Sequence, residues 1–242
     1  MKRFHVLVAV LPLLLFYSNS FAQSDCDIER PCSQYACTNC NEWSQWEERS
    51  EILIWPDDPD CRLIVSYCYR QCIDGGIGEH CIELNIINIQ PMIDDFACGK
   101  CREFLDFINP GDPFVQALRL KNIFEVFWWQ INMNNWNEFI GSGIPLENLK
   151  CDPYGNWQDE MHYKVTTTQM TCLAYCYTQH PIGNPSIPLL ITQVPCSETF
   201  CCVRTMGFCI DMYTGGTLWT ETKESYPPTD CSHSTIPLKE CP

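Results

Sequence analysis

Positive charge is scarce in this sequence: 15 Lys and Arg stand against 30 Asp and Glu, for a formal net charge of −15. An anionic surface repels phosphate backbones and anionic lipids alike, and no local Lys/Arg cluster makes an exception, so nucleic acid is excluded as a partner. Histidine is scarce too. Beyond the N-terminal stretch only His80, His162, His180 and His233 occur, and neither His-Glu-x-x-His nor Gly-x-Ser-x-Gly is present. Gly141-Ser142-Gly143 lacks the second spacer of a nucleophile elbow, so two common hydrolytic sites are missing. Past the N-terminus there is no long apolar run. The best candidate, Ile123 to Ile131, is short and carries Glu125 and Gln130, whereas a spanning helix needs ~20 apolar residues. The one Asn-x-Ser candidate, Asn184-Pro185-Ser186, is disqualified as a glycosylation site by its proline.

What is present begins with an export signal. Lys2 and Arg3 precede an apolar stretch from Val6 to Tyr17, and Ser20-Phe21-Ala22 supplies a small-x-small cleavage site. Residues 1–22 are expected to be a signal peptide cut after Ala22. Gln23, Ser24 and Asp25 separate that point from Cys26, which excludes a lipoprotein anchor. Removing 22 of 242 residues leaves 220, and losing Lys2 and Arg3 takes the charge from −15 to −17. The mature chain, residues 23–242, is expected to be a single soluble secreted domain, extracellular, or periplasmic in a Gram-negative host.

All 19 cysteines lie in that mature part, about 9% of it, a level that in an exported chain means a disulfide framework. Cys26, Cys32, Cys37 and Cys40 fall in a polar, aperiodic stretch, residues 23–42, read as a stapled N-terminal loop. Cys61, Cys68, Cys72, Cys81, Cys98, Cys101, Cys151, Cys172, Cys176, Cys196, Cys201, Cys202, Cys209, Cys231 and Cys241 complete the set of structural disulfide candidates. An odd count leaves at least one thiol free or joined to a second chain, so a disulfide-linked homodimer is open. Cys201 and Cys202 sit in a strand-like run, where neighbouring side chains face opposite ways, so each must find a different partner, one of them in a loop.

The patterning predicts an α+β fold: disulfide-rich antiparallel β hairpins packed with one central amphipathic helix. A hairpin is expected over Trp43 to Cys72 around the Pro56-Asp57-Asp58-Pro59-Asp60 turn, then a Gly75-Gly76 turn and a strand over Cys81 to Ile89. Asp112-Pro113 is a helix start, and Ala117, Leu120, Phe124 and Ile131 recur at helical spacing. The helix is expected from Pro113 to about Asn134, with a possible extension to Ile140, and a shorter one over Gly99 to Phe107. Strands are expected over Tyr163 to Tyr177, Ile187 to Val194, Phe200 to Ile210 and Thr217 to Thr222, with a Gly215-Gly216 turn, and residues 226–242 as an irregular tail. Tyr67-Cys68-Tyr69-Arg70-Gln71-Cys72 is echoed by Tyr175-Cys176-Tyr177-Thr178-Gln179-His180. Strands in a cysteine-rich sheet converge on such content, and the echo is read that way rather than as a repeat.

Two spacings bear on chemistry. Cys98-Gly99-Lys100-Cys101, before a helical run, resembles the active-site loop of the thioredoxin family. That resemblance implies Cys98 as attacking thiol, Cys101 as resolving thiol, Lys100 as a charge that lowers the thiol pKa, and Ser186-Ile187-Pro188 as the facing cis-proline loop. In a stapled exported chain the same spacing is an ordinary structural bridge, which is the leading reading. Cys37-x-x-Cys40 with Cys98-x-x-Cys101 could make a tetrathiolate zinc site, but the knuckles are much further apart than the roughly 15–20 residues usual there. No cofactor is expected. Asp57, Asp58 and Asp60, and Asp159, Glu160 and His162, are acidic clusters read as turns rather than cation sites. Eight Trp, ten Tyr and twelve Phe either fill the core or expose rings to a ligand. The function expected is that of a non-enzymatic extracellular structural or binding protein whose partner is a protein or glycan. The alternatives are an exported thiol-disulfide oxidoreductase using Cys98 and Cys101, and a secreted hydrolase with carboxylates or His162 converging on a cleft.

Overall fold

The computed structural model describes residues 26, 32–37, 40–74, 80–156, 161–170, 172–179, 189–195, 201–226 and 234–236. A turn between two apolar-rich runs builds the first hairpin. In β1 (Glu47–Trp55) and β2 (Asp58–Gln71), paired antiparallel with Leu53 opposite Leu63, alternate residues turn to one side, and there Leu53, Trp55, Leu63, Val65, Tyr67 and Tyr69 enter the core. The chain reverses over Pro56 and Asp57, so Asp58 already belongs to β2. β3 (His80–Pro91) follows antiparallel, with a bulge between Ser66 and Tyr67 of its neighbour.

At β3 the sheet divides. Its first half pairs in parallel with β5 (Tyr163–Met170), and its second half pairs antiparallel with β7 (Leu189–Pro195). One branch runs from β5 to β8 (Cys201–Asp211), which carries β9 (Thr217–Tyr226) and the two-residue β4 (Lys150–Cys151). The other runs from β7 to β6 (Cys172–Gln179) and ends in β10 (Ser234–Ile236), parallel to β6. The α+β class stands, and three findings refine its detail. Three of the pairings are parallel, so the sheet is mixed rather than purely antiparallel. The run from Tyr163 to Tyr177 is two strands that serve different branches, and a strand lies inside the stretch from 226 expected to be irregular.

Helix α3 (Pro113–Gly141) covers the front of the sheet. Asp112 caps it, accepting from the backbone N–H of Phe114 at 2.8 Å and Val115 at 3.1 Å, and Pro113 fills a first-turn position that needs no donor. At the far end the Ser142 hydroxyl donates to the Phe139 carbonyl at 2.7 Å, and Gly143 takes a positive φ of 89° that favours glycine. Leu120, Ile123, Phe127, Ile131 and Trp136 enter the core with the inward residues of β1, β2, β3, β5 and β8. Trp136 is fully buried, stacked on Phe208 at 5.6 Å, and its Nε1–H donates to Thr217 Oγ1 at 3.0 Å, so its one polar group is satisfied.

Before α3 come α1 (Ile93–Ala97) and α2 (Arg102–Ile108), where a single short helix over Gly99 to Phe107 was expected. Two buried aspartates place them. Asp58 accepts from the Phe104 N–H at 3.1 Å, capping α2 from the neighbouring strand. Asp95 is gripped by Arg62 through Nε at 2.7 Å and Nη2 at 2.9 Å and by Lys100 Nζ at 3.3 Å, and these hydrogen bonds, Arg62 foremost, hold its carboxyl well below the usual carboxylate range.

The back of the sheet is closed differently. The outward residues Arg70, Glu83, Asn85, Thr166 and Thr168 are polar, and the described residues of the N-terminal loop, 26, 32–37 and 40–42, are bonded over this face through Cys26–Cys68, Cys32–Cys201, Cys37–Cys81 and Cys40–Cys72. Glu83, with no exposed surface, accepts from Arg70 Nη2 at 2.5 Å, Ser33 Oγ at 2.7 Å and Thr168 Oγ1 at 2.5 Å. The Arg70 guanidinium lies over the rings of Trp43 at 4.3 Å and Trp46 at 4.6 Å. A buried charge is tolerated only when paired and fully hydrogen-bonded, and this network meets that condition. Further along, Cys151–Cys209 ties β4 to β8, and Gly207 admits Met161 so closely that a Cβ there would lie 2.7 Å from its side chain.

Candidate functional site

The cysteine spacing with the sharpest chemical implication is not a bridge. Cys101 is bonded to Cys61, and Cys98 is a free, exposed thiol. The local reason is that the chain around the motif forms two helices: Cys98 caps the C-terminus of α1 while Cys101 precedes α2. The thioredoxin-like expectation needed Cys98 at a helix N-terminus, where N–H groups face outward. It stands instead at an end where carbonyls do. Ser186-Ile187-Pro188, the other part of that expectation, lies outside the described residues.

The thiols of the proposed zinc knuckles are likewise engaged, Cys37 with Cys81 and Cys40 with Cys72. Cys40, Cys72 and Asp74 sit together, but the two sulfurs are bonded to each other. Asp74 accepts from the backbone N–H of Asn41 and Glu42, chiefly Glu42, which hold its carboxyl below the usual range. Of the adjacent cysteines, Cys201 reaches back to the N-terminal loop through Cys32, while Cys202 on the opposite face is bonded as well. The side chains of Cys172, Cys176, Cys196, Cys231 and Cys241 lie outside the described residues. Of the acidic clusters, Asp58 is spent on capping α2, and His162 Nε2 lies 3.2 Å from the Lys150 carbonyl. Asp159 and Glu160 lie outside the described residues.

A cleft that no single motif announced lies at the C-terminal half of α3. It is a cavity of about 530 Å³, within the range of small-molecule sites. One wall is helical: Asn135, Glu138, Phe139 and Ser142 are spaced three, four and seven apart and so share one face of α3. The other wall is the end of the sheet, with Arg49 from β1, Tyr69 and Gln71 from β2, His80 and Ile82 from β3 and Tyr163 from β5. These meet because β1, β2, β3 and β5 are neighbours in the sheet and α3 ends across them.

Each polar group has a distinct state. The Arg49 guanidinium lies 3.5 Å from the centre of the Tyr69 ring, and its Nη2 donates to Glu47 at 3.0 Å. Tyr67, just beneath, donates to Glu51 at 2.6 Å, and Tyr69 to Gln71 at 3.4 Å. Burial pushes the Tyr69 phenol up and the Tyr163 phenol well up, so both are proton donors at neutral pH. His80 packs edge-on to Phe139 at 4.5 Å, and burial lowers its pKa, so its imidazole is neutral at pH 7. No protein family, no curated protein and no solved structure matches this chain. The geometry alone must therefore carry the functional reading.

Among the described residues the cleft is lined by one carboxylate, Glu138, and by neither His162 nor a second acid, so the convergence expected of the hydrolase alternative is not seen among them. What the arrangement can do is bind: it combines aromatic walls, phenol donors, a neutral imidazole and one charge of each sign. Sequence reasoning missed it, although the Asn135, Glu138, Phe139 and Ser142 spacing was visible as a partly polar helix face beside an apolar one.

Proposed function

We propose that this chain is exported and acts outside the cytoplasm as a non-enzymatic binding protein, its scaffold stapled by disulfides and its ligand held in the cleft beside α3. The observation that carries the reading is the cleft itself, a concave, polar-and-aromatic cavity on a framework in which six disulfides join the described residues. Export is supported by that framework, of a kind that forms and persists in oxidising compartments and is rare in the cytosol, and by the basic-apolar-small layout of residues 1–22. Among the described residues no helix is long and apolar enough to cross a membrane. The ligand belongs to an extracellular protein or glycan, or is a small molecule.

The test is a fragment screen by ligand-observed NMR on the oxidised chain and on Ser142→Trp. Ser142 is an exposed cleft residue, so a bulky ring there fills the mouth without entering the core. Fragments that bind the parent and are lost in an equally stable S142W protein support the reading. Binding unaffected by S142W, or no binding at all, removes it.

A second, compatible reading rests on Cys98, free and exposed. Two copies joined through it would run as a covalent dimer on a nonreducing gel after exposure to air and as a monomer in Cys98→Ser. A parent protein that stays monomeric removes this reading.

A further inference from the structure

We propose that the α3 cleft takes a small organic cation, with its ammonium group on Glu138 and a hydrogen-bond acceptor on the Tyr163 hydroxyl. The proposal rests on the binding reading above and adds the charge and polarity of the ligand.

Tyr163 supplies the first half. It is only 2% exposed, yet its hydroxyl has no hydrogen-bond partner among the described residues. The groups whose charge acts on that hydroxyl are Tyr69, Glu138, Arg49 and Tyr67, which places it at the cleft. Its two neighbours have acceptors, Tyr67 on Glu51 and Tyr69 on Gln71. The hydroxyl is not among the described buried polar atoms that lack a partner, so it opens on the cleft, where a ligand acceptor can take the place of water. Burial keeps this phenol protonated, so it offers a donor and nothing else of comparable strength.

Glu138 supplies the second half. It makes no hydrogen bond or ion pair among the described residues. Arg49, the cation of the lining, is already answered by Glu47 and laid on the Tyr69 ring. His80 adds no charge at neutral pH. The unanswered charge in the cleft is therefore negative, and a concave wall concentrates its field. A ligand anion would meet Glu138 and would have to displace Glu47 from Arg49. A lone carboxylate offers too few oxygens for calcium or magnesium, which want six or more ligands. An ammonium group satisfies Glu138 directly, and the rings of Phe139 and Tyr163 supply apolar and cation–π contact for the organic part. The net charge of −15 favours the encounter in the same direction.

The experiment is isothermal titration of the oxidised full chain at pH 7.5 with four probes: 2-amino-1-phenylethanol, its neutral N-acetyl derivative, the anion mandelate, and phenethylamine, which keeps the ammonium but lacks the hydroxyl. The hydroxylated cation should bind roughly tenfold tighter than the neutral and anionic probes, and Glu138→Gln should erase that preference. Tyr163→Phe should weaken 2-amino-1-phenylethanol roughly three- to tenfold and leave phenethylamine unchanged, the signature of one hydrogen bond. Glu138 is exposed, so the E138Q protein should fold as the parent does, and its melting temperature checks this. If mandelate or the N-acetyl probe binds as well as the cation, or if E138Q keeps the preference, the charge assignment is overturned while the binding reading survives. If no probe binds and the S142W fragment comparison is also blank, the binding reading falls and takes this proposal with it.

Discussion

The two faces of the sheet are closed by opposite physics. On the front, α3 buries Leu120, Phe127, Ile131 and Trp136 against Leu63, Val65, Leu84 and Phe208, and the Cys61–Cys101 bond in that core ties the start of α2, not α3, to the sheet. On the back, the residues of the same strands are Arg70, Glu83, Thr166 and Thr168, and the cover is a loop with little apolar surface, held by four disulfides and a saturated carboxylate. A segment that cannot bury enough apolar area to offset its ordering entropy must be fixed another way. The cleft opens at the end of the front face, where the helix runs out and polar side chains replace apolar ones.

That contrast can be broken from either side. The largest effect is expected at the front: Trp136→Ala removes a fully buried indole and should cost about 3–5 kcal/mol in urea unfolding, with the disulfide pattern unchanged. At the back, Cys32→Ser with Cys201→Ser opens a bridge spanning 169 residues and should cost about 2–4 kcal/mol. It should also raise hydrogen exchange in the N-terminal loop while the α3 amides stay protected, whereas equal loosening of α3 would mean that the faces are not independent. Asp112→Ala, which strips the α3 cap, should cost about 1 kcal/mol, read as a shift in the urea midpoint.

The smallest effect concerns pH and sharpens the boundary between core and cleft. Burial lowers the His80 pKa in the folded state, so the unfolded chain takes up this proton first as pH falls. Stability from His80 is therefore whole above its ordinary value of about 6.5 and lost as pH drops from there through the folded value. Asp95, held below its ordinary value of about 3.9, loses its contribution only at lower pH, as the pH falls from there through its own folded value. A weak slope between pH 7 and 5 that vanishes in His80→Gln is expected, and a slope unchanged by H80Q would assign it elsewhere.

How much of this was legible in the chain depended on whether the deciding contact was local. Asp112-Pro113 announces α3 because a cap acts on the next two residues, and the Pro56 to Asp60 turn between runs rich in β-branched and aromatic residues exposes the hairpin because turn chemistry is a local property. The split of Tyr163 to Tyr177 between two branches was hidden, since nothing in a β-branched run records which strand it will pair with. The odd cysteine count implied a free thiol but could not single out Cys98, because its lack of a partner follows from Cys61 claiming Cys101. The cleft was the least readable feature. It draws on five elements, and only its helical wall has a spacing of its own.

The Cys32–Cys201 bond makes most of the molecule a covalent ring. A protease that cuts one peptide bond anywhere between those two residues would leave a single body of unchanged mass apart from one added water. The two new chain ends would stay tethered, and fragments would separate only after reduction. The loop that closes the back of the sheet thus also protects the cleft on the front, since a nick in any exposed turn of that ring would not let the walls of the cleft drift apart.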